Sequence, residues 1–307
     1  MSKSLTTKID QLLKAYIKDN VYVCYFGLGR TLMALSTLLT LLATDEHKLF
    51  KVTPNPNLVS ISFGNAFSKY NIFDVVTDHQ ITLVKWLVCL CLLIIVLGWR
   101  PRFTGILHWY ISFCFFTAAN DIEGGDQIIG IITFLMIPIC LLDNRKWHWQ
   151  NENVELINSP IIIKRIVSNT FFLLIKLQVA VLYFHSAIGK LAIPQWLNGT
   201  AIYYWINNPV FGMSDWFKPL ANYLFTNSYI IFIVSWFVML YEILLSVGFL
   251  LHRKWLKKLF FSGVIFHLAI VFFHGLFSFF FAMSGALAIY FMIDYYNFQL
   301  TLTNGKV

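Results

Sequence analysis

Charge is what this sequence has least of: only 12% of its 307 residues are Asp, Glu, Lys or Arg, against about 25% in a domain whose surface must be wetted. That shortage excludes a water-facing globular surface. Cysteine is sparse and scattered. Cys24, Cys89, Cys91, Cys114 and Cys140 fall in or beside apolar runs, with no CxxC pair. A disulfide framework, a zinc site and a thiol redox centre are therefore not expected, and the five read as packing residues. There is no internal repeat, no low-complexity tract and no stretch resembling a nucleic-acid module. The first twenty residues do not have the form of a cleavable signal peptide.

What is present is apolar. Hydrophobic residues make up 58% of the chain and aromatic residues 18%, including thirty phenylalanines and ten tryptophans. That is more than a soluble protein of this size can hide, so lipid is the expected solvent and membrane lipid the first partner. Apolar runs near bilayer length occur at 21–43, 82–99, 103–119, 126–142, 167–190, 229–251, 257–273 and 275–293. The last two merge into one run too long for a single span, which predicts a tight reversal at His274-Gly275. The fold class is an all-α polytopic bundle of about eight spans. Residues 1–20 form a basic amphipathic segment, 21–293 the transmembrane domain and 294–307 a cytoplasmic tail. Within the first segment, Ile9, Leu12, Leu13, Tyr16 and Ile17 share a helical face opposite Lys8, Asp10, Lys14 and Lys18, a pattern that lies on a membrane surface.

Net charge is +8, but the basic residues cluster between apolar runs, so no nucleic-acid partner is expected. With the N-terminus inside, fifteen lysines and arginines lie in inner segments and four in outer loops (Lys48, Lys51, Lys69, Lys218). The positive-inside rule then puts both termini in the cytoplasm. Two outer loops are long, 44–81 and the Trp- and Asn-rich 191–228, and both are expected to hug the outer interface.

Ionisable groups inside spans are costly, which makes them the functional candidates. Asp126 opens the fourth span at the outer face, and Lys190 closes the fifth, with His185 and Ser186 about one turn deeper. His274 sits at the outer reversal, while Glu242 and His267 lie nearer mid-membrane. These groups are expected to converge on one outward-opening cavity. Arg30 and Lys176 lie toward the inner face, where either is a candidate partner for Glu242. The histidines lack zinc-site spacing, so no metal is expected.

The segment Tyr183-Phe-His-Ser-Ala-Ile-Gly-Lys190-Leu-Ala-Ile-Pro-Gln-Trp196-Leu-Asn-Gly199 resembles the hallmark of the horizontally transferred transmembrane (HTTM) domain, the membrane part of vitamin K-dependent gamma-carboxylases. Gly263-Val-Ile-Phe-His267 resembles a histidine-bearing helix of that family, and Glu242 and Arg30 are looser matches. Within that superfamily the chain is most similar to the sporulation-delaying protein B family, compact bacterial membrane proteins encoded beside a secreted antimicrobial peptide. The resemblance implies a multi-pass protein of the bacterial cell membrane that matures or exports a peptide toxin precursor at the outer face, with a small companion protein encoded nearby. The resemblance places the base on Lys190, with His267 as its polar partner. With the reading of ionisable groups in spans, the catalytic candidates are Lys190, His267, Glu242 and Asp126, and the substrate contacts His185, His274, Trp196 and Arg30. An enzyme-class alternative is a quinol-dependent, carboxylase-like modification with Lys190 as base, although a single lysine follows Gly189 where the carboxylases carry a pair. A transporter or an immunity protein is the third reading; neither inverted repeats nor paired broken helices support a transporter.

Overall fold

A computed structural model describes residues 13–14, 16–50, 68–120, 122–152, 159–209, 212–213 and 217–304, and among them there is no strand, only helices and their connections. The long helices are α1 (Cys24–Ala43), α2 (Asp78–Leu97), α3 (Pro101–Ala118), α4 (Gly124–Leu141), α5 (Ser159–Leu191), α6 (Ser228–Val247), α7 (Leu256–His274) and α8 (Phe277–Leu287). A π-turn at Ala288–Met292 carries α8 into α9 (Ile293–Asn304). Seven helical stretches among the described residues are long and apolar enough to cross a membrane, α8 and α9 counting as one. The protein is thus a multi-pass membrane protein.

The remaining long helix, α3, is not among these seven and carries Arg102, Thr104 and His108. It nevertheless runs from one end of the bundle to the other. Trp99, at its start, bridges to Trp147 just beyond α4, and Ala119, at its end, bridges to Phe50 beyond α1. Of its polar groups, the Thr104 hydroxyl accepts from Arg30 and donates to the Trp99 carbonyl, whereas His108 Nε2 is buried without a partner.

Local chemistry sets the helix ends. A Thr77–Gln80 capping box opens α2 and left-handed Gly98 closes it, three residues before Pro101 starts α3. The reversal expected at His274-Gly275 is there, with Gly275 in the left-handed region at φ 69°. The boundary expected at 293 instead falls inside a continuing helix: Asp294 and Asn297 of α9 are buried, and both are bonded to earlier parts of the chain. Most of the N-terminal amphipathic pattern lies outside the described residues. Its last turn docks on α5, where Asn169 Nδ2 donates to the Tyr16 carbonyl.

α8 and its π-turn form the centre of the bundle, buried without a break from Ala282 to Ile293. Gly29 of α1 and Gly285 of α8 let two backbones touch: a Cβ on Gly285 would lie 2.8 Å from the Gly29 carbonyl oxygen. One apolar cluster joins α1, α4, α5, α7 and α8, and a second fills the space between the rest of α1, α2 and α3. The outward faces are Leu- and Phe-rich, as at Leu83, Leu87, Leu90 and Phe103, which suits lipid rather than water.

Each end carries polar ties. At one, Asp143 holds Arg145 at 2.7 Å, and Asn20 and Asn297 bond to each other through both backbone and side chain. Burial, then the guanidiniums of Arg30 and Arg145, holds the His148 imidazole down at about 2. It is therefore neutral, accepting from Arg30 at Nδ1 (3.3 Å) with Nε2 facing the Thr31 hydroxyl (3.1 Å). At the other end, hydrogen bonds from the Thr82 hydroxyl and the Lys85 amine hold the Glu46 carboxyl down at about 2.

The positive-inside rule predicts that the His148 end faces the cytoplasm. In a cysteine-free background, Tyr223→Cys, on an 81% exposed site, should therefore react in intact cells with an impermeant thiol reagent, and Lys258→Cys should not. Reaction at Lys258→Cys alone would reverse the orientation.

Candidate functional site

Lys190 stands in the last turn of α5, and Glu242 faces it from the second half of α6. The amine donates to both carboxylate oxygens, at 2.8 Å to Oε1 and 2.7 Å to Oε2. Ser186, one turn before Lys190 on the same face of α5, completes the cluster. Its hydroxyl accepts from Lys190 Nζ at 2.8 Å and donates to Glu242 Oε1 at 3.1 Å. The Trp196 ring lies 5.4 Å from the ammonium. With both partners largely buried, the pairing removes the cost of two lone charges at this depth.

Beside the cluster opens a cavity of about 340 Å³. Lys190, Glu242 and Ser186 form its polar wall, and Trp196, Trp205, Phe237, Phe266, Phe273 and Phe279 are the aromatic part of the rest. Its roof is the segment after α5, expected to hug the outer interface. Two short helices there, Pro194–Leu197 and Ala201–Ile206, instead descend along α6. Trp196 and Ala201 pack on Met239, and the Ile202 amide faces Ser235 Oγ at 3.4 Å. Irregular backbone at this depth is tolerated because it is buried in protein.

Of the residues singled out in the sequence, Lys190, Glu242, Trp196 and His274 meet at this cavity. His267 stands behind it: its Nε2 is 2.7 Å from Tyr183 OH, and its Nδ1 is buried with no partner. His185 faces the other side of α5, in a groove shared with Gln127 and Gln178. Asp126 lines neither space. One of its oxygens accepts from the Glu123 amide at 3.1 Å, and the other is buried without a partner. Arg30 lies at the opposite end, on Thr104 and His148. Neither cation proposed for Glu242 reaches it. Lys176 pairs with Asp294 at 2.9 Å, and Arg30 is occupied by neutral acceptors.

Sequence reasoning passed over Ser186 as a site residue, although its spacing of four from Lys190 was a usable signal. It also missed Tyr183 and Asp294. Asp294 was assigned to the tail, since the apolar run ends just before it. No group of three metal-ligating side chains occurs among the described residues.

No family model matches the chain, and no solved structure matches it. Two proteins of Bacillus subtilis (strain 168) are similar to it. One, "Uncharacterized protein YitO", is 31% identical over 284 residues, covering 92% of this chain and 89% of that protein. The other, "Sporulation-delaying protein SdpB", is 33% identical over 286 residues, covering 92% of this chain and 86% of that protein.

Proposed function

The chain belongs to the family of the sporulation-delaying protein SdpB, and from that premise we propose that it matures a secreted antimicrobial peptide at the outer face of a bacterial plasma membrane. The observation that carries the reading beyond kinship is the Lys190–Glu242–Ser186 cluster set in the wall of an otherwise apolar cavity. A pair serving stability alone can be sealed in packed side chains. This one faces open space large enough for an apolar side chain of a peptide, with proton-transferring groups at its edge. Lys190 is the proton acceptor of the site, and Glu242 is its proton store. The small companion protein expected nearby supplies a grip on the precursor.

The site favours a second reading in one respect. Six aromatic side chains beside an amine suit a flat quinol head, which Trp205, Phe237 and Phe273 would hold and Lys190 would face. When bound there, a quinol would supply an acidic hydroxyl and reducing equivalents. This reading takes the HTTM resemblance at its word, whereas peptide maturation needs only the family.

Mass spectrometry of the secreted peptide separates these readings. Cells carrying the precursor, the companion and this chain should release the mature mass, and cells lacking this chain should release only the precursor. The precursor and this chain without the companion should also yield no mature peptide. An added carboxyl mass would favour the quinol reading. Protection of sensitive cells by this chain alone, with maturation unchanged by its loss, would make it an immunity protein.

A further inference from the structure

We propose that Ser186 is a nucleophile, and that the maturation step is cleavage of a peptide bond through an ester on its hydroxyl. The inference rests on the maturation reading and names its chemistry.

Three observations carry it. First, the hydroxyl is surplus to charge pairing: Lys190 already reaches both oxygens of Glu242. Ser186 nonetheless sits 2.8 Å from the amine and 3.1 Å from the carboxylate. A hydroxyl within reach of a base, itself oriented by a third group, is the arrangement that activates a nucleophile. Second, Ser186 is reached from two sides. It lines the apolar cavity beside Lys190, and it also lines the groove of about 430 Å³ that holds Gln127, Gln178 and His185. One space suits an apolar peptide side chain, and the other suits water. Third, the residues that position the dyad are fixed by packing. Tyr183 and Ala187, on the same helix, are buried, and Trp196 covers the amine.

The balance of the step needs only water. The proton between Lys190 and Glu242 passes to the carboxylate, leaving a neutral amine beside Ser186. An apolar substrate that closes the cavity favours this neutral pair, because charge separation is costly in a dry site. The amine takes the hydroxyl proton as Oγ bonds to the carbonyl carbon. The C–N bond breaks, and the departing amine takes that proton from Lys190. Water then attacks the ester, its proton passing by way of Lys190 to Ser186 Oγ, and a carboxylic acid leaves. Nothing is oxidised or reduced.

The test uses membranes containing the full-length chain and an alkyl fluorophosphonate probe. The probe should label Ser186, located by peptide mass spectrometry, and labelling should vanish in Lys190→Arg and Glu242→Gln present at equal abundance. Ser186→Ala should reduce peptide maturation by at least about a thousandfold. Ser186→Cys, which keeps the size and a nucleophile, should be alkylated by iodoacetamide at that position. Wild-type maturation by an abundant Ser186→Ala protein would overturn the nucleophile and leave the proposed function standing. So would an unlabelled wild-type preparation that matures peptide. Maturation that continues without this chain would instead overturn the function, and with it this inference.

Discussion

Lys190→Arg is expected to leave the protein inserted at near its normal level and to reduce peptide maturation by at least about a hundredfold, the loss typical of removing a general base. Arginine keeps the positive charge and can still answer Glu242, so the buried carboxylate is not stranded. What it cannot do is release a proton. Lys190→Ala is the less informative change. It leaves Glu242, of which only 10% of the side chain is exposed, without its partner, and breaking such a pair costs about 3–5 kcal/mol. Loss of activity there would be confounded with loss of protein. Wild-type maturation by Lys190→Arg would reduce the lysine to a counter-ion. Exchange of the two residues, Lys190→Glu with Glu242→Lys, should recover abundance without recovering activity, because the amine would then hang from α6 and not from the turn that carries Ser186.

The second large effect is structural. Gly285→Val should lower the melting temperature in detergent by about 5 °C or more and cut the folded fraction sharply. Its Cβ would meet the Gly29 carbonyl at 2.8 Å, with Met33 Cγ at 3.0 Å and Leu32 Cβ at 3.2 Å. A backbone oxygen cannot rotate away, so α1 and α8 would have to part, opening the most buried stretch of the molecule. Gly130→Ala is the control. Nothing lies within 4 Å of its added Cβ, and alanine favours a helix interior over glycine by about 0.5–1 kcal/mol. An unchanged melting temperature for Gly285→Val would show that the two helices do not cross this closely.

The bundle itself was legible in the sequence because lipid imposes one rule on every span: about twenty apolar residues, then a charged or breaking connection. The reversal at Gly275 followed from that rule. The partners of the buried charges did not, since periodicity places a residue on a face without saying which helix meets that face. Lys190 and Glu242 were both recognisable as costly, and their mutual pairing was not. Arg30 drew attention for the same cost, yet its cost is met by His148, from a connection that hydropathy reads as featureless. Asp294 was hidden by the end of an apolar run, and Lys85 by its place near the start of one. The descent of 191–206 beside α6 was illegible for a different reason. Interfacial aromatics and a cavity roof have the same composition, and only packing distinguishes them.

The pairing of Lys176 with Asp294 joins positions 118 residues apart, and it sets a timetable for biogenesis. At roughly 5–20 residues per second, the ribosome has placed the lysine in the translocon on the order of ten seconds before the aspartate is made. During that wait the lysine's long stem lets its ammonium reach the headgroups on the cytoplasmic side. Translation of the helix that carries Asp294, and not the closing of any earlier hairpin, is the earliest point at which this pair can form.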